Sequence, residues 1–111
     1  MKVANMNYEI PRESFKQRLE DRLNFVFVDL LAADKTPAKY ENVEHMNYGQ
    51  EFKTFFSSKF PNKNQNIIIY SLQKGDRTPE KAAQDLTDLG YNFVYFYLGS
   101  PGDIVLDKGL N

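Results

Sequence analysis

The 111-residue sequence contains no cysteine and no tryptophan, and it has a single histidine, His45. The absence of cysteine excludes disulfides, thiolate metal sites, iron–sulfur clusters and every mechanism that needs a protein thiolate or persulfide. One histidine cannot form a multi-histidine metal site. We therefore expect a protein without a metal site and without a cofactor.

The chain also lacks an excess of charge and a long apolar run. Fourteen Lys and Arg residues stand against fifteen Asp and Glu, for a net charge of -1, so no general attraction to nucleic acid or to an anionic membrane is expected. Asp29 interrupts the apolar stretch from Phe25 to Ala33, and the first nine residues contain no signal-peptide core. We expect a cytoplasmic protein with one domain over residues 1–111.

Apolar runs alternate with helical patterns along the chain. Val3 to Ile10 predicts a short edge strand, and residues 32–47, which include His45, predict a loop. Three further runs are apolar without alternation, as in strands buried on both faces of a parallel sheet: 25–31, 67–70 and 93–98. Together they predict an α/β fold with a central, mostly parallel sheet and helices on both faces.

Helices are predicted where apolar residues recur at helical spacing. Three stripes share this spacing: Phe15, Leu19 and Leu23; Tyr48, Phe52, Phe55, Phe56 and Phe60; Ala82, Ala83, Leu86 and Leu89. Pro11 fits the start of the first helix, and Thr78 fits the N-cap of the third, followed by Pro79. Gly90 ends the third helix, and residues 101–107 predict a short last helix.

The segment before the third helix has the features of an anion-binding loop. Gly75 allows the backbone to turn so that N–H groups converge, the helix directs its positive end at the loop, and Arg77 can add a bidentate contact. We predict a small-oxyanion site formed by eight consecutive residues: Ser71, Leu72, Gln73, Lys74, Gly75, Asp76, Arg77 and Thr78.

The same part of the chain resembles the C-terminal half of a rhodanese-like domain. The resemblance lies in a buried strand that leads into a loop, a helix and a further strand, with these matching residues: Ser71, Arg77-Thr78, Ala82-Ala83, Leu86, Leu89-Gly90-Tyr91, Val94-Tyr95 and Gly99. Residues 8–29 are similar to the family's opening strand, proline-initiated helix and buried strand ending in aspartate. The resemblance implies the rhodanese-like fold of the sulfurtransferase superfamily.

The departures from the family concern its chemistry. Active members carry a cysteine where this chain has Ser71, and a serine cannot form a persulfide. Leu30-Leu31 follow Asp29 where Val-Arg is common, and the family's Gly-His-Ile-Pro-Gly-Ala signature is reduced to His45-Met46. The resemblance therefore implies an inactive homologue that acts as a binding or regulatory module, with a small oxyanion or a protein as candidate partner and no catalytic residue.

Three alternatives stay open at the level of sequence. Five residues separate Ser71 from Arg77, a loop length that resembles related phosphatases and arsenate reductases, so an enzyme acting on a phosphate-like oxyanion is one alternative. A second is the Ser71 form of a once active sulfurtransferase, whether the serine is natural or engineered. The third is a triad of Asp29, His45 and Ser71, which requires the three side chains to meet.

Overall fold

The structure is a computed structural model that describes residues 7–20, 24–30 and 43–99. Its elements follow in the order β1 (Asn7–Glu9), α1 (Arg12–Glu20), β2 (Val26–Asp29), β3 (Val43–His45), α2 (Phe52–Lys59), β4 (Asn66–Ser71), α3 (Thr78–Asp88) and β5 (Phe93–Leu98). The strands form one sheet in the order β1-β5-β4-β2-β3, and every pair is parallel. This confirms the predicted α/β fold with a central parallel sheet.

Strand β4 lies at the centre of the sheet and is buried on both faces. It pairs with β2 on one side and with β5 on the other, where Asn66 is level with Phe93 and Ser71 with Leu98. Successive side chains of a strand point to opposite faces. Ile67 and Ile69 accordingly belong to one core cluster, and Ile68 and Tyr70 to the other.

Helix α1 covers one face of the sheet with an aromatic cluster. Phe15 is fully buried, and its ring stacks on Tyr97 at 4.4 Å between centroids. The same ring meets Tyr70 edge-on at 4.9 Å. Leu19 is buried beside them, so the apolar stripe predicted for this helix faces the sheet as expected.

Helices α2 and α3 cover the opposite face. Phe52 and Phe56 of α2 pack in one cluster with Leu86 of α3, and the Phe56 ring meets Tyr91 edge-on at 5.3 Å. Ala82 and Ala83 are fully buried in the same cluster, where their small side chains allow α3 to approach the sheet closely. Helices therefore lie on both faces, as predicted.

The loop predicted for residues 32–47 contains a strand at its end. Residues Val43–His45 form β3, which pairs with β2 so that His45 is level with Asp29. The prediction of a loop histidine was therefore wrong. Only Val43 is apolar in this strand, because an edge strand with one partner needs little apolar surface.

Two residues of the predicted apolar stripes face solvent. Leu89 is 37% exposed at the C-cap of α3, where Leu86 and Thr87 take the buried positions. Phe55 is 53% exposed on α2, where Phe52 and Phe56 take the buried positions. The predicted last helix at 101–107, residue Leu23 and the first part of the predicted edge strand lie outside the described residues.

A hydrogen bond joins the chain before α2 to helix α3. The Tyr48 hydroxyl donates to Asp85 Oδ2 at 2.7 Å. Burial, this hydrogen bond and the negative charge of Asp85 together raise the pKa of Tyr48 to about 12. The bond holds the segment before α2 against the partly buried side of α3 that carries Asp85.

We expect Leu86→Ala to lower the free energy of unfolding by about 2 to 5 kcal/mol, because Leu86 is fully buried between α3 and the sheet. Leu89→Ala is the matched control and should cost about 1 kcal/mol or less, because Leu89 is exposed. Urea denaturation measures both values. Equal effects of the two substitutions would contradict the assignment of the buried face.

We expect the stability difference between the wild type and Tyr48→Phe to depend on pH. The folded chain holds the Tyr48 proton more tightly than the unfolded chain, whose pKa is near the ordinary 10.0. The contribution of the Tyr48 hydroxyl to the free energy of unfolding should be fully present below pH 10 and lost as the pH rises to about 12. Denaturant titrations over this range measure the difference, and a constant value would contradict the hydrogen bond to Asp85.

Candidate functional site

Ser71 forms the base of the loop that the sequence singles out. It is the last residue of β4, and its side chain points to the face covered by α2 and α3, as do Ile67 and Ile69. The residue is fully buried, yet its Oγ makes no hydrogen bond in the part of the chain that the structure describes. A buried hydroxyl without a hydrogen bond of ordinary geometry is uncommon in folded proteins.

A tight turn follows, and it leaves several backbone donors available. The Asp76 N–H donates to the Gln73 carbonyl at 3.0 Å, and Gly75, with φ of +80°, takes the left-handed position of the turn. The N–H groups of Gln73, Lys74, Gly75 and Arg77 make no hydrogen bond within the described residues. These four N–H groups are therefore available as hydrogen-bond donors.

The start of α3 differs from the sequence prediction. Arg77 lies at the N-cap position without a capping side chain, and Thr78 is the first helical residue. The Thr78 N–H donates to Asp76 Oδ1 at 2.9 Å. The prediction of Thr78 as N-cap was therefore wrong, because the carboxylate two residues earlier satisfies the first helical N–H.

Asp76 is negatively charged at neutral pH. Partial burial alone would raise the pKa of its carboxyl, but the backbone N–H and side chain of Thr78, the Ser71 hydroxyl and the charge of Lys81 together lower it from 3.8. The Ser71 hydroxyl is thus close enough to stabilise the carboxylate, although it makes no hydrogen bond of ordinary geometry with it. The loop therefore contains a carboxylate that the chain itself supplies.

Arg77 points along the helix surface and forms an ion pair with Glu80. Its Nη2 lies 2.6 Å from Glu80 Oε1, and both side chains are largely exposed. Exposed pairs of this kind contribute little to stability, typically about 0 to 1 kcal/mol. Glu80 therefore competes with an anion in the loop for the Arg77 guanidinium.

Asp29 and His45 form a pair at the ends of two neighbouring strands. His45 Nδ1 lies 3.8 Å from Asp29 Oδ2, and Asp29 is fully buried. Asp29 is level with Tyr70 in the sheet. Its side chain lies on the same face as that of Phe27, two residues earlier, and therefore faces α1, whereas the Ser71 side chain faces α2 and α3. The three residues therefore do not converge, and the triad hypothesis was wrong.

A cavity of about 510 Å³ lies beside the end of β3, a feature that the sequence did not indicate. It is lined by residues of β3, of α2 and of the segment between them, including His45, Glu51 and Phe55. Across the described ranges, no group of three His, Asp or Glu side chains is placed to hold a metal ion. None of the helices described is both long and apolar enough to cross a membrane.

Sequence reasoning placed Asp76 in the loop but did not assign it a separate role. The signal was present, because an aspartate often accepts a hydrogen bond from the backbone N–H two residues later, which here belongs to Thr78. The role of Asp76 was missed because Thr78 itself was predicted as the N-cap.

Comparison with known proteins supports the fold alone. No family model matches the chain, and no curated protein sequence matches it either. A solved structure, described as the atomic resolution structure of an uncharacterized protein from Saccharomyces cerevisiae, is similar with a TM-score of 0.69. The similarity covers 92% of this chain and 93% of the yeast chain at 18% sequence identity. The described α/β architecture therefore also occurs in a solved protein structure.

We expect Ser71→Ala to change the free energy of unfolding by less than about 1 kcal/mol, because the hydroxyl makes no hydrogen bond of ordinary geometry but lies close enough to Asp76 to stabilise its carboxylate. Thr87→Val is the matched control, since the buried Thr87 hydroxyl donates to the Gln84 carbonyl at 2.9 Å. That substitution should lower stability by about 1 kcal/mol. Thermal and urea denaturation measure both, and a loss in Ser71→Ala as large as that in Thr87→Val would show that the Ser71 hydroxyl is fully hydrogen-bonded.

Proposed function

We propose that the chain is a rhodanese-like domain that binds a ligand at the loop from Ser71 to Thr78 and does not transfer sulfur. The observation that carries this proposal is a set of backbone N–H groups that make no hydrogen bond within the described residues, those of Gln73, Lys74, Gly75 and Arg77. These groups follow the end of the central strand at Ser71. A small ligand with hydrogen-bond acceptors would bind several of these donors together.

The residues at the loop favour binding over covalent chemistry. The chain has no cysteine, so no persulfide can form, and a serine hydroxyl needs an adjacent base to act as a nucleophile. The histidine of the chain, His45, faces the opposite side of the sheet with Asp29. A stable complex with a ligand or with a partner's acidic group is therefore the better-supported function.

The backbone donors of the loop favour a small oxyanion as the ligand of this proposal. Four N–H groups in one turn are a common way to hold phosphate or sulfate, since each oxygen can accept a backbone hydrogen bond. Lys74 and Arg77 are exposed on this loop and add positive charge near it, although Glu80 offsets Arg77. The expected affinity is weak, because most of these donors also face water.

Hydrolysis of a phosphate-like oxyanion is the second candidate function. The five residues between Ser71 and Arg77 support it, since a longer loop leaves room for a tetrahedral anion. Arg77 would then stabilise the charge of the transition state after leaving Glu80. The loop as described contains no base near Ser71 other than Asp76, and this carboxylate already accepts the Thr78 N–H.

The test is an NMR titration of the isotope-labelled chain with phosphate at constant ionic strength. We expect millimolar phosphate to shift the amide signals of residues 73–77 and to leave those of helix α2 nearly unchanged. Arg77→Ala should weaken the effect, while Lys53→Ala, which removes a positive charge from exposed α2, should not. Thiosulfate with cyanide should give no thiocyanate above a protein-free control.

Three results would contradict the proposal. Shifts that spread evenly over the surface would show nonspecific binding, and unchanged loop amides would show that the loop is only a connection. Thiocyanate formation that depends on Ser71 would show sulfur transfer after all. Release of phosphate from an aryl phosphate, abolished by Ser71→Ala, would favour the second candidate.

A further inference from the structure

The cavity beside the end of β3 has the size of a small-molecule site. Its volume of about 510 Å³ falls within the range of about 300 to 1,000 Å³ that is usual for such sites. A second cavity, of about 410 Å³, lies along α2 and shares Glu51 and Phe55 with the first. Among the described residues that line the two cavities, none belongs to the loop from Ser71 to Thr78.

The larger cavity combines buried apolar side chains with exposed amide groups. Met46 and Phe52 line it and are buried, so they offer an apolar surface to a ligand. Asn47 and Gln50 line it and are exposed, and neither side-chain amide makes a hydrogen bond within the described residues. An apolar lining with a few polar groups is typical of cavities that bind small organic molecules.

Glu51 supplies a carboxylate without a partner where the two cavities meet. It stands at the N-cap position of α2, but its side chain does not cap the helix and forms no ion pair or hydrogen bond with the described residues. In the described part of the lining, no lysine or arginine is present. His45 also lines the larger cavity, with Asp29 Oδ2 at 3.8 Å from its Nδ1, so a carboxylate balances any charge on the imidazole.

These charges favour a cation over an anion in the cavity. The positive end of α2 would attract an anion, but the Glu51 carboxylate already lies there. An anionic ligand would therefore meet a negative charge, and a cationic ligand would meet a carboxylate that has no other partner among the described residues.

Phe55 places an aromatic ring beside this carboxylate. The Phe55 N–H donates to the Glu51 carbonyl at 2.9 Å, so the two residues lie one helical turn apart, where side chains are neighbours. The Phe55 side chain is 53% exposed and packs on no other aromatic ring of the described chain. The face of such a ring attracts an ammonium group. Glu51 and Phe55 are therefore two groups that can contact one organic cation together.

We propose that this cavity binds a small organic cation, in which an ammonium group is carried on an apolar body. The ammonium group lies between the Glu51 carboxylate and the Phe55 ring, and the apolar body packs on Met46 and Phe52. The side-chain oxygens of the neighbouring amides accept further ammonium hydrogens. This site is distinct from the proposed oxyanion loop, so either site can be wrong without the other.

The experiment compares three ligands that share one ring and differ in charge: benzylammonium, benzyl alcohol and benzoate. Each is titrated into the isotope-labelled chain at neutral pH and constant ionic strength, and the readouts are the Met46 methyl signal and the amide signals of residues 49–55. We expect benzylammonium to bind about fivefold more tightly than benzyl alcohol, with benzoate the weakest of the three.

Two substitutions test the residues that select the charge. Glu51→Gln keeps the size of the side chain and should lower the benzylammonium affinity about fivefold, to that of benzyl alcohol. Glu13→Gln is its matched control, because it removes an exposed glutamate from the first turn of α1 on the opposite face of the sheet. Phe55→Leu should weaken benzylammonium more than benzyl alcohol, whereas Phe93→Leu, at another exposed phenylalanine, should change neither.

Several results would overturn the inference. Equal affinities for the three ligands would show that charge is not recognised, and tightest binding of benzoate would show that the start of α2 attracts anions instead. An equal loss in Glu13→Gln and Glu51→Gln would show a general surface effect. If benzylammonium moves none of the signals of residues 46–55, the cavity is not a site for organic cations. The phosphate titration of the loop amides 73–77 is read separately, so its result does not depend on any of these.

Discussion

The burial of strand β4 on both faces is the constraint on which the rest of the structure depends. Two helices pack on one face of this strand and one on the other, so its side chains must be apolar almost to the end. The constraint extends past Ser71 to Leu72, which is also fully buried, and the chain becomes exposed only at Gln73. Pro79 is buried where α3 begins. The loop is therefore a short exposed segment held by apolar contacts at both ends.

Alternation of side chains decides which polar groups at the end of the sheet can act together. Asp29 and Ser71 lie on adjacent strands, but Asp29 is level with Tyr70, so the two polar residues fall on opposite faces. The Asp29 side chain therefore lies beside His45, and the Ser71 hydroxyl lies beside the carboxylate of Asp76 in the loop. A shift of one residue in the pairing of β2 with β4 would bring a different set of groups together.

Much of the fold could be predicted because its strongest signals are local. The apolar run at 67–70 is buried on both faces of the sheet, and the run at 93–98 is buried at Val94, Phe96 and Tyr97 although Phe93 is exposed. The spacing of Phe15 and Leu19 marks the buried side of α1. Edge strand β3 gives no such signal. The sequence also places Leu89 within the helical pattern, although the last turn of α3 closes one residue earlier.

The candidate site could be located from the sequence but not described in detail. Gly75 and the start of α3 mark the loop through local backbone preferences, which sequence expresses well. The register between strands, the burial of the Ser71 hydroxyl and the choice between Asp76 and Thr78 as the capping group depend on packing in three dimensions. Long-range geometry of this kind has no signature in a single sequence.

The order of the strands bears on how the molecules behave at high concentration. In the part of the chain that the structure describes, β1 and β3 form the edges of the sheet, and the six-residue strands β4 and β5 lie between other strands. An exposed edge invites a strand from another molecule. The six-residue strands, which are rich in β-branched and aromatic side chains, lie inside the sheet. The order of strands thus places the segments most prone to form intermolecular sheets where no second molecule can reach them without unfolding.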